Sequence, residues 1–285
     1  EKYEEVIVCC DKVLEIEPNN VVALSTKAKA LANIGKNEEA MVCFDKALKI
    51  EPDSIETCLD IADTKSLHEK HEEAVDWCNK VLKMNPDDAQ ALDDKAYYLF
   101  FCGRLDEAIV CCDKLLEMNP DDAEHWDSKG FILFRIKKYD EAVVCFDKAL
   151  EIEPDNYEIL INKGLTLHEL VKYEEAVVCF DKALEIEPDD IVALMYKSTS
   201  LSNLGKYEEA VVCCDKSLEI EPDNGEAFMY KGMVLNDLKK YDEAVVCYDK
   251  ALENNRDLSG MKLMRERIYK VNENIKKYRQ LAVDA

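Results

Sequence analysis

Cysteine and histidine are the residues whose number first suggests chemistry in this chain. Its 285 residues include thirteen cysteines and four histidines, enough for several disulfides or for a metal site. The spacing of the cysteines argues against both. Eleven of them fall at two adjacent positions of a pattern that recurs along the chain: Cys9, Cys10, Cys43, Cys78, Cys111, Cys112, Cys145, Cys179, Cys213, Cys214 and Cys247.

One of those two positions holds an aromatic residue wherever it does not hold a cysteine. The aromatic residues are Phe44, Phe146, Phe180 and Tyr248, which indicates that cysteine acts there as a small buried hydrophobic side chain. The three vicinal pairs point in different directions around a helix and cannot readily form a disulfide. So many thiols favour a reducing compartment, and we expect the cytoplasm.

The histidines and glycines do not suggest a catalytic or metal site. His68 and His71 are three residues apart and could share a helix face, but no third ligand has a recognisable spacing. The segment HEKHE is not the HExxH of zinc proteases, and the eight glycines form no glycine-rich phosphate loop. We therefore expect no metal, no cofactor, no catalytic residue and no enzymatic activity.

The seven prolines define the period of the pattern. They stand at residues 18, 52, 86, 120, 154, 188 and 222, always thirty-four residues apart. A fixed period of this length indicates a repeat architecture. We predict a partial unit at 1–20, a segment of another kind at 259–285, and seven full units between them. The units are 21–54, 55–88, 89–122, 123–156, 157–190, 191–224 and 225–258.

Each unit contains two amphipathic helical stretches with a short polar break between them. In the unit 123–156 the second stretch runs roughly from Tyr139 to Ile152, and Pro154 prevents it from continuing. Asp or Asn after the prolines suits the cap of the next helix. Small residues recur where two helices would approach closely. In the second helix these are Ala40, Ala74, Ala108, Ala142, Ala176, Ala210 and Ala244. In the first helix they are Ala28, Ala62, Ala96, Gly130, Gly164, Ser198 and Gly232.

A known family shares this arrangement. The residues of the unit 123–156 that carry the likeness are Trp126, Gly130, Leu133, Tyr139, Ala142, Phe146, Ala149 and Pro154. Their types and spacing resemble the motif of the tetratricopeptide repeat, or TPR. The resemblance covers residues 1–258 and implies an all-α fold, a right-handed α-solenoid (superhelix) of antiparallel helix pairs with a C-terminal capping helix. It also implies that the first helices line a concave, peptide-binding surface.

Two departures from the family's pattern bear on stability. Lysine replaces the usual leucine before the small residue of the first helix, and we expect its stem to pack while its charge reaches water. These lysines are Lys27, Lys95, Lys129, Lys163, Lys197 and Lys231. The unit 55–88 departs most, with Cys58 in place of a large apolar residue, Lys65 in place of leucine and unusual turn residues from His68 to His71. We expect a locally weaker repeat there.

First-helix positions that face away from the core are the candidate binding residues. They are spaced i, i+4, i+7 and so form one stripe on each helix. Aromatic residues on two neighbouring stripes, extended by methionines, are more apolar than a solvated face requires, and such patches usually mark interaction sites. For Phe101, tighter packing between neighbouring first helices is an equal alternative. The candidate partner-binding residues are Asp93, Tyr97, Phe100, Phe101, Asp127, Phe131, Phe134, Ile161, Leu165, His168, Met195, Met229 and Met233.

Charge narrows the class of partner. The formal net charge is −24, with 61 acidic against 37 basic residues, so we expect no nucleic acid partner, because phosphates need a basic surface. No stretch approaches the ~18 apolar residues of a membrane span, and we expect no membrane partner. Acidic residues at the groove edge suit a partner that carries Lys or Arg. They are Asp93, Asp94, Glu124, Asp127 and Glu158.

The two ends differ from the units between them. Residues 1–20 match only a second helix, so we expect exposed apolar side chains around Val6 and Val13 that could stack on another copy. The chain does not begin with methionine, and we expect its native N-terminus to be missing. Residues 259–285 carry a charge of +4, which leaves −28 for the rest. Their apolar seam predicts a helix ~37 Å long that either caps the last unit or projects and pairs with another chain. The seam residues are Met261, Met264, Ile268, Val271, Ile275, Tyr278 and Ala282.

These features favour a non-catalytic scaffold that binds a peptide or helix of another protein in its concave groove. The partner would present apolar anchors and basic flanks. Two alternatives stay open. The chain could be the recruiting arm of a larger enzyme such as a glycosyltransferase, or a module that associates with itself through its open N-terminal end or its C-terminal helix.

Overall fold

A computed structural model of the chain describes residues 2–254, which form fifteen α-helices joined by short turns and, within that range, no β-strand. The helices are α1 Lys2–Ile16, α2 Val21–Asn33, α3 Asn37–Ile50, α4 Ile55–Leu67, α5 His71–Met84, α6 Ala89–Phe101, α7 Leu105–Met118, α8 Ala123–Arg135, α9 Tyr139–Ile152, α10 Tyr157–Glu169, α11 Tyr173–Ile186, α12 Ile191–Asn203, α13 Tyr207–Ile220, α14 Gly225–Asp237 and α15 Tyr241–Asn254. The predicted helix within 259–285 lies outside the described residues. The unit boundaries of the repeats stay a proposal.

The residue two places after each proline caps the next helix, as the sequence predicts. The backbone N–H of Ala23 donates to Asn20 Oδ1 at 2.9 Å, and that of Ala91 donates to Asp88 Oδ1 at 3.0 Å. Such a bond satisfies one of the N–H groups that a helix leaves open at its start. Proline followed by a cap therefore ends one helix and begins the next within four residues.

The turn inside each helix pair keeps one backbone shape although its residues differ. Gly35, Gly103 and Gly205 have φ of 75–80°, and the corresponding non-glycine residues, including Glu69 and Val171, have φ of about 60°. Only glycine adopts this conformation without steric cost. The unusual residues of the unit 55–88 therefore leave the turn itself unchanged, since Lys70 N–H still donates to Lys65 O at 3.0 Å, as Lys36 N–H does to Leu31 O at 2.9 Å.

The described residues form two compact units, 2–132 and 133–254. In each, consecutive helices pack on one another and neighbouring first helices also touch, for example α2 with α4 and α10 with α12. The prediction of an all-α solenoid built from helix pairs is confirmed. No helix within 2–254 has both the length and the apolar composition that a membrane crossing requires.

The small residues of the first helices mark the closest contacts between helices. A β-carbon on Gly164 would lie 2.6 Å from the Phe180 ring, and one on Gly232 would lie 2.6 Å from the Tyr248 ring. Atoms cannot approach so closely without moving. The prediction that these positions let two helices pack tightly is confirmed at both sites.

The lysines before the small residues form ion pairs rather than simply reaching water. Lys27 Nζ lies 2.5 Å from Asp11 Oδ1, sixteen residues earlier. The same pair recurs as Lys129–Asp113, Lys163–Asp147, Lys197–Asp181 and Lys231–Asp215, at 2.5–2.6 Å. In these five places the lysine thus ties a first helix to the second helix before it. We call these contacts the Lys–Asp pairs.

Candidate functional site

Most cysteines in the described part of the chain are buried side chains of the helix pairs. None of the thirteen is in a disulfide, and eleven are buried. Burial raises the pKa of Cys78, Cys112 and Cys214 to about 12, so these thiols stay neutral and unreactive at physiological pH. Among residues 2–254, no group of three or more His, Cys, Asp or Glu could hold a metal ion.

Four aromatic side chains of α6 and α8 form a continuous group in the unit 2–132. The rings of Tyr97 and Phe101 lie 4.8 Å apart, those of Phe100 and Phe101 5.5 Å, and those of Phe100 and Phe131 5.5 Å. Tyr97 is 57% exposed, Phe101 51% and Phe131 37%. So much exposed aromatic surface in one place is unusual for a solvated helix face.

A cleft of about 440 Å³ lies beside these rings, and we call it the aromatic cleft. It is lined by Asp93, Ala96, Tyr97, Phe100, Phe101, Glu124, Ser128, Phe131 and Ile132. The structure thus brings five predicted binding residues together, namely Asp93, Tyr97, Phe100, Phe101 and Phe131. Burial raises the pKa of the Asp93 carboxyl, and nearby His125 partly opposes that rise. Asp127, also on α8, is half-buried and does not line the cleft.

A second cleft of about 390 Å³ lies on the other side of Tyr97 and Phe101, and we call it the acidic cleft. It is lined by Asp63, Ser66, Leu67, His71, Asp94, Tyr97, Tyr98 and Phe101. Asp63, Ser66 and Leu67 are not among the binding residues predicted from the sequence. They stand thirty-four residues before Tyr97, Phe100 and Phe101, so the same stripe continued one unit earlier would have found them.

The two carboxylates of the acidic cleft are held in place by hydrogen bonds. Tyr98 OH donates to Asp63 Oδ1 at 2.6 Å, and Gln90 Nε2 donates to Asp94 Oδ1 at 2.8 Å. Burial, followed by the like charges of Asp63, Asp93 and Asp88, raises the pKa of Asp94 to about 6. The cleft is therefore a place where negative charge is crowded and partly desolvated.

An imidazole completes the wall of the acidic cleft. The His71 ring stacks on Phe101 with centroids 5.0 Å apart and planes inclined by 25°. Its Nδ1 lies 3.2 Å from Ser66 Oγ. His71 comes from the first turn of α5, so three consecutive helices, α4, α5 and α6, build this cleft.

The stripes of the unit 133–254 are packed rather than open. Ile161 is 9% and Met195 7% exposed, so neither offers surface to a partner. Leu165, Met229 and Met233 are half-buried against the cores of their helix pairs, and the Phe134 ring lies 5.6 Å from that of Tyr139. The aromatic surface of α6 and α8 therefore does not continue as an open methionine stripe within this unit.

His168 is a polar exception on these stripes. Ser200 Oγ donates its one proton to Tyr196 O at 2.8 Å, so the 2.8 Å contact between His168 Nδ1 and Ser200 Oγ needs the proton on Nδ1. Burial lowers the pKa of His168. The neutral ring then presents Nε2 as an acceptor.

Models of TPR families match most of the described chain. The matching descriptions are a tetratricopeptide repeat over 9–41, the Psidin N-terminal TPR repeats region over 60–164, a tetratricopeptide repeat over 133–197, and the anaphase-promoting complex, cyclosome, subunit 3 over 172–251. No curated protein sequence matches the chain significantly.

Solved structures with the same fold include several TPR proteins. YrrB, a TPR protein with an unusual peptide-binding site, is 24% identical over 67% of this chain and 97% of its own, with a TM-score of 0.57. A tetratricopeptide repeat protein from Parabacteroides merdae ATCC 43184 is 17% identical over 87% and 98%, with a TM-score of 0.64. The Cut9–Hcn1 hetero-tetramer of APC/C matches at 15% identity over 93% of this chain and 52% of that chain, with a TM-score of 0.62. These structures share the fold of the chain, and the family models, which together cover 9–41 and 60–251, identify it as a member of the tetratricopeptide-repeat family.

Proposed function

We propose that the chain is a non-catalytic scaffold that binds a peptide or helix of another protein on α6 and α8. Apolar anchors of the partner would fill the aromatic cleft, and basic flanks would face its carboxylates. The observation that carries this proposal is the aromatic cleft itself, where exposed rings of Tyr97, Phe101 and Phe131 surround an open volume. Clefts lined by aromatic side chains with a few polar groups are the usual form of a binding site.

The charge of the aromatic cleft and the similarity to a known structure both support a basic peptide as the partner. Asp93 and Glu124 stand in the wall of the aromatic cleft, and no lysine or arginine is among the described residues that line it. A basic partner would be steered to this surface and held in register by opposite charge. YrrB is described as having a peptide-binding site, which supports a peptide as the class of ligand. The free, mostly buried thiols support a reducing compartment such as the cytoplasm.

Selection from a phage-displayed library of random peptides tests the proposal without a known partner. We expect the full chain to enrich peptides with aromatic or aliphatic anchors. The double variant Phe100→Ala and Phe131→Ala should bind the enriched peptides at least about tenfold more weakly, because two anchoring rings are lost. The control is Val144→Ala with Val178→Ala, which removes exposed apolar surface on second helices.

Two outcomes would contradict the proposal. Either no peptide is enriched, or the enriched peptides bind the Phe100→Ala, Phe131→Ala variant as tightly as the wild type. Circular dichroism of both double variants verifies that helix content is unchanged.

Self-association through α1 is a second candidate function with its own observation. Val6, Val13 and Ile16 are exposed, and Val6 and Val13 stand at the repeat positions where Ala40 and Ala47 are buried. An exposed apolar helix face of this kind can pair with a second copy. Sedimentation of the full chain should show a mass that rises with concentration and that Val6→Glu with Val13→Glu returns to that of the monomer. A monomer at all concentrations would exclude this candidate. Nothing in the described residues favours the recruiting arm of an enzyme.

A further inference from the structure

The acidic cleft lies beside the proposed anchor site and has a different chemistry. Asp63 comes from α4 and Asp94 from α6, and the rings of Tyr97, Phe101 and His71 stand between and around them. We propose that this cleft is a cation subsite that holds the guanidinium of an arginine of the partner. The inference rests on the proposed function, which it deepens by naming a residue that the partner must carry.

The carboxylates of the acidic cleft would be stabilised by a bound cation. None of the described residues that line it is a lysine or arginine. Lys29 interacts electrostatically with Asp63, but its Nζ already lies 2.7 Å from Asp60 Oδ1. The raised pKa of Asp94, about 6, reflects burial and the repulsion of neighbouring carboxylates. A bound cation would relieve that repulsion, because opposite charges a few ångströms apart attract strongly where water is scarce.

The shape of the cleft favours a guanidinium over an ammonium. A guanidinium is planar, stacks on aromatic faces and donates up to five hydrogen bonds in one plane. The cleft offers rings for stacking and two carboxylates whose internal bonds engage only Oδ1. Each carboxylate retains acceptor capacity for a charged donor. An ammonium could use the charge but not the flat walls.

The position of the cleft sets the spacing of the partner's residues. Tyr97 and Phe101 line both clefts, so a ridge one aromatic layer wide separates them. In an extended peptide, the side chains of residues i and i+2 lie on one face about 7 Å apart. An arginine in the acidic cleft therefore predicts an aliphatic or aromatic residue two positions away, in the aromatic cleft.

The same peptide selection tests the subsite when it is run on matched variants. Asp63→Asn and Asp94→Asn keep the acceptors for Tyr98 and Gln90 and remove only the charges. The control, Asp53→Asn with Asp121→Asn, makes the same change of net charge at two exposed sites outside both clefts. We expect the wild type and the control to enrich arginine two positions from an apolar residue. The Asp63→Asn, Asp94→Asn variant should lose this preference and bind the enriched peptides about tenfold more weakly or worse.

Each other outcome has a defined meaning. If enriched peptides need Phe100 and Phe131 but carry no basic residue, the cation subsite is wrong and the anchor site stands. If lysine is enriched as strongly as arginine, the guanidinium assignment is wrong. If the Asp53→Asn, Asp121→Asn control weakens binding equally, the effect is one of net charge and the subsite is again wrong. If no peptide is enriched at all, the proposed function fails together with it.

Discussion

Two regions of this molecule differ in the contacts that join their helices. In the unit 133–254, the close contacts between helices use small residues against large ones, as Gly164 and Gly232 do against Phe180 and Tyr248. Around α4–α6, polar side chains join the helices as well. Ser25 Oγ lies 3.1 Å from Thr57 Oγ1, and Tyr98 OH donates to Asp63. The contacts that recur every thirty-four residues are buried, whereas the polar contacts around α4–α6 lie beside the aromatic cleft and the acidic cleft.

The periodic contacts also explain where cysteine replaces an aromatic residue at the second-helix position of Phe180. Glycine faces a ring, as in Gly164–Phe180, but Ser198 faces Cys214, with Oγ and Sγ 3.0 Å apart. Ala62 with Cys78 and Ala96 with Cys112 follow the same rule inside one buried cluster. A side chain on one helix is balanced by a smaller one on the other, because protein interiors tolerate neither overlap nor voids. Ala28 with Phe44 is an exception, and both are fully buried.

Of the changes we predict, disturbing this balance of side-chain volumes should have the largest effect on the free energy of unfolding. Gly164→Ser would force a hydroxymethyl group into the Phe180 ring, and we expect it to lower the free energy of unfolding by about 3 kcal/mol. Adding Phe180→Cys copies the Ser198–Cys214 pair and should restore all but about 1 kcal/mol. Urea unfolding followed by circular dichroism, with hydrogen exchange of α10 and α11, measures both. If the Gly164→Ser, Phe180→Cys variant is less stable than either single variant, the balance of side-chain volumes does not explain why cysteine faces the larger residue.

The features that recur every thirty-four residues were well predicted from the sequence. Prolines, caps and small residues each recur at thirty-four residues, and every one acts through neighbours that are close along the chain. The spacing of the Lys–Asp pairs is also regular, since in each pair the aspartate stands sixteen residues before the lysine.

The binding surface was harder to predict from the sequence. Ile161 and Met195 stand on the predicted stripes yet are buried. The spacing i, i+4, i+7 defines a stripe, but how much of it the neighbouring first helix covers depends on long-range packing. Asp63 was missed because the aromatic pattern begins one unit later, with Tyr97 at the same repeat position.

The buried carboxylate on α4 offers a way to weaken the polar region. Asp60 is buried, and Lys29 Nζ lies 2.7 Å from its Oδ1. Burial raises the pKa of Asp60, and Lys29 opposes that rise. We expect Lys29→Met to lower the free energy of unfolding by about 1–2 kcal/mol at neutral pH, because it leaves a buried charge without its partner.

The pH dependence of the Lys29→Met variant gives a second readout. Removing Lys29 raises the pKa of Asp60 further, so the folded state takes up a proton more readily than the unfolded chain. The loss of stability should therefore be largest at neutral pH and shrink as the pH falls through the folded pKa. Lys29→Arg is the control and should keep wild-type stability. An equal loss at pH 4 and pH 7 would mean that packing, not charge, explains the effect.

Removing the charge of Asp94 should raise the stability of the fold, whereas removing Lys29 should lower it. The pKa of Asp94 is about 6 in the fold against 3.8 for the free side chain. The folded state binds this proton more tightly, so stability falls as the pH rises between those values. Asp94→Asn cannot ionise and should be more stable than the wild type by about 1 kcal/mol at pH 7, after allowance for solvent screening. The gain should vanish near pH 4. Thermal unfolding at the two pH values measures it, and a gain that does not change with pH would refute the repulsion.

The change with the smallest expected effect would give α6 the Lys–Asp pair that five other first helices have. Lys95 stands at the position of the paired lysines, but Asn79 replaces the aspartate sixteen residues earlier. Both are half-buried. Asn79→Asp should add the missing Lys–Asp pair and raise the free energy of unfolding by about 0.5 kcal/mol, as for other partly exposed ion pairs.

Two conditions separate an ion pair from other effects of Asn79→Asp. The gain should diminish in high salt, because the pair is partly exposed and mobile ions screen it. It should also disappear when Lys95→Met is added, since the new carboxylate then has no partner at that position. A gain that survives both changes would come from helix α5 alone. The recurring lysine and aspartate would then fix which helices meet without stabilising the contact.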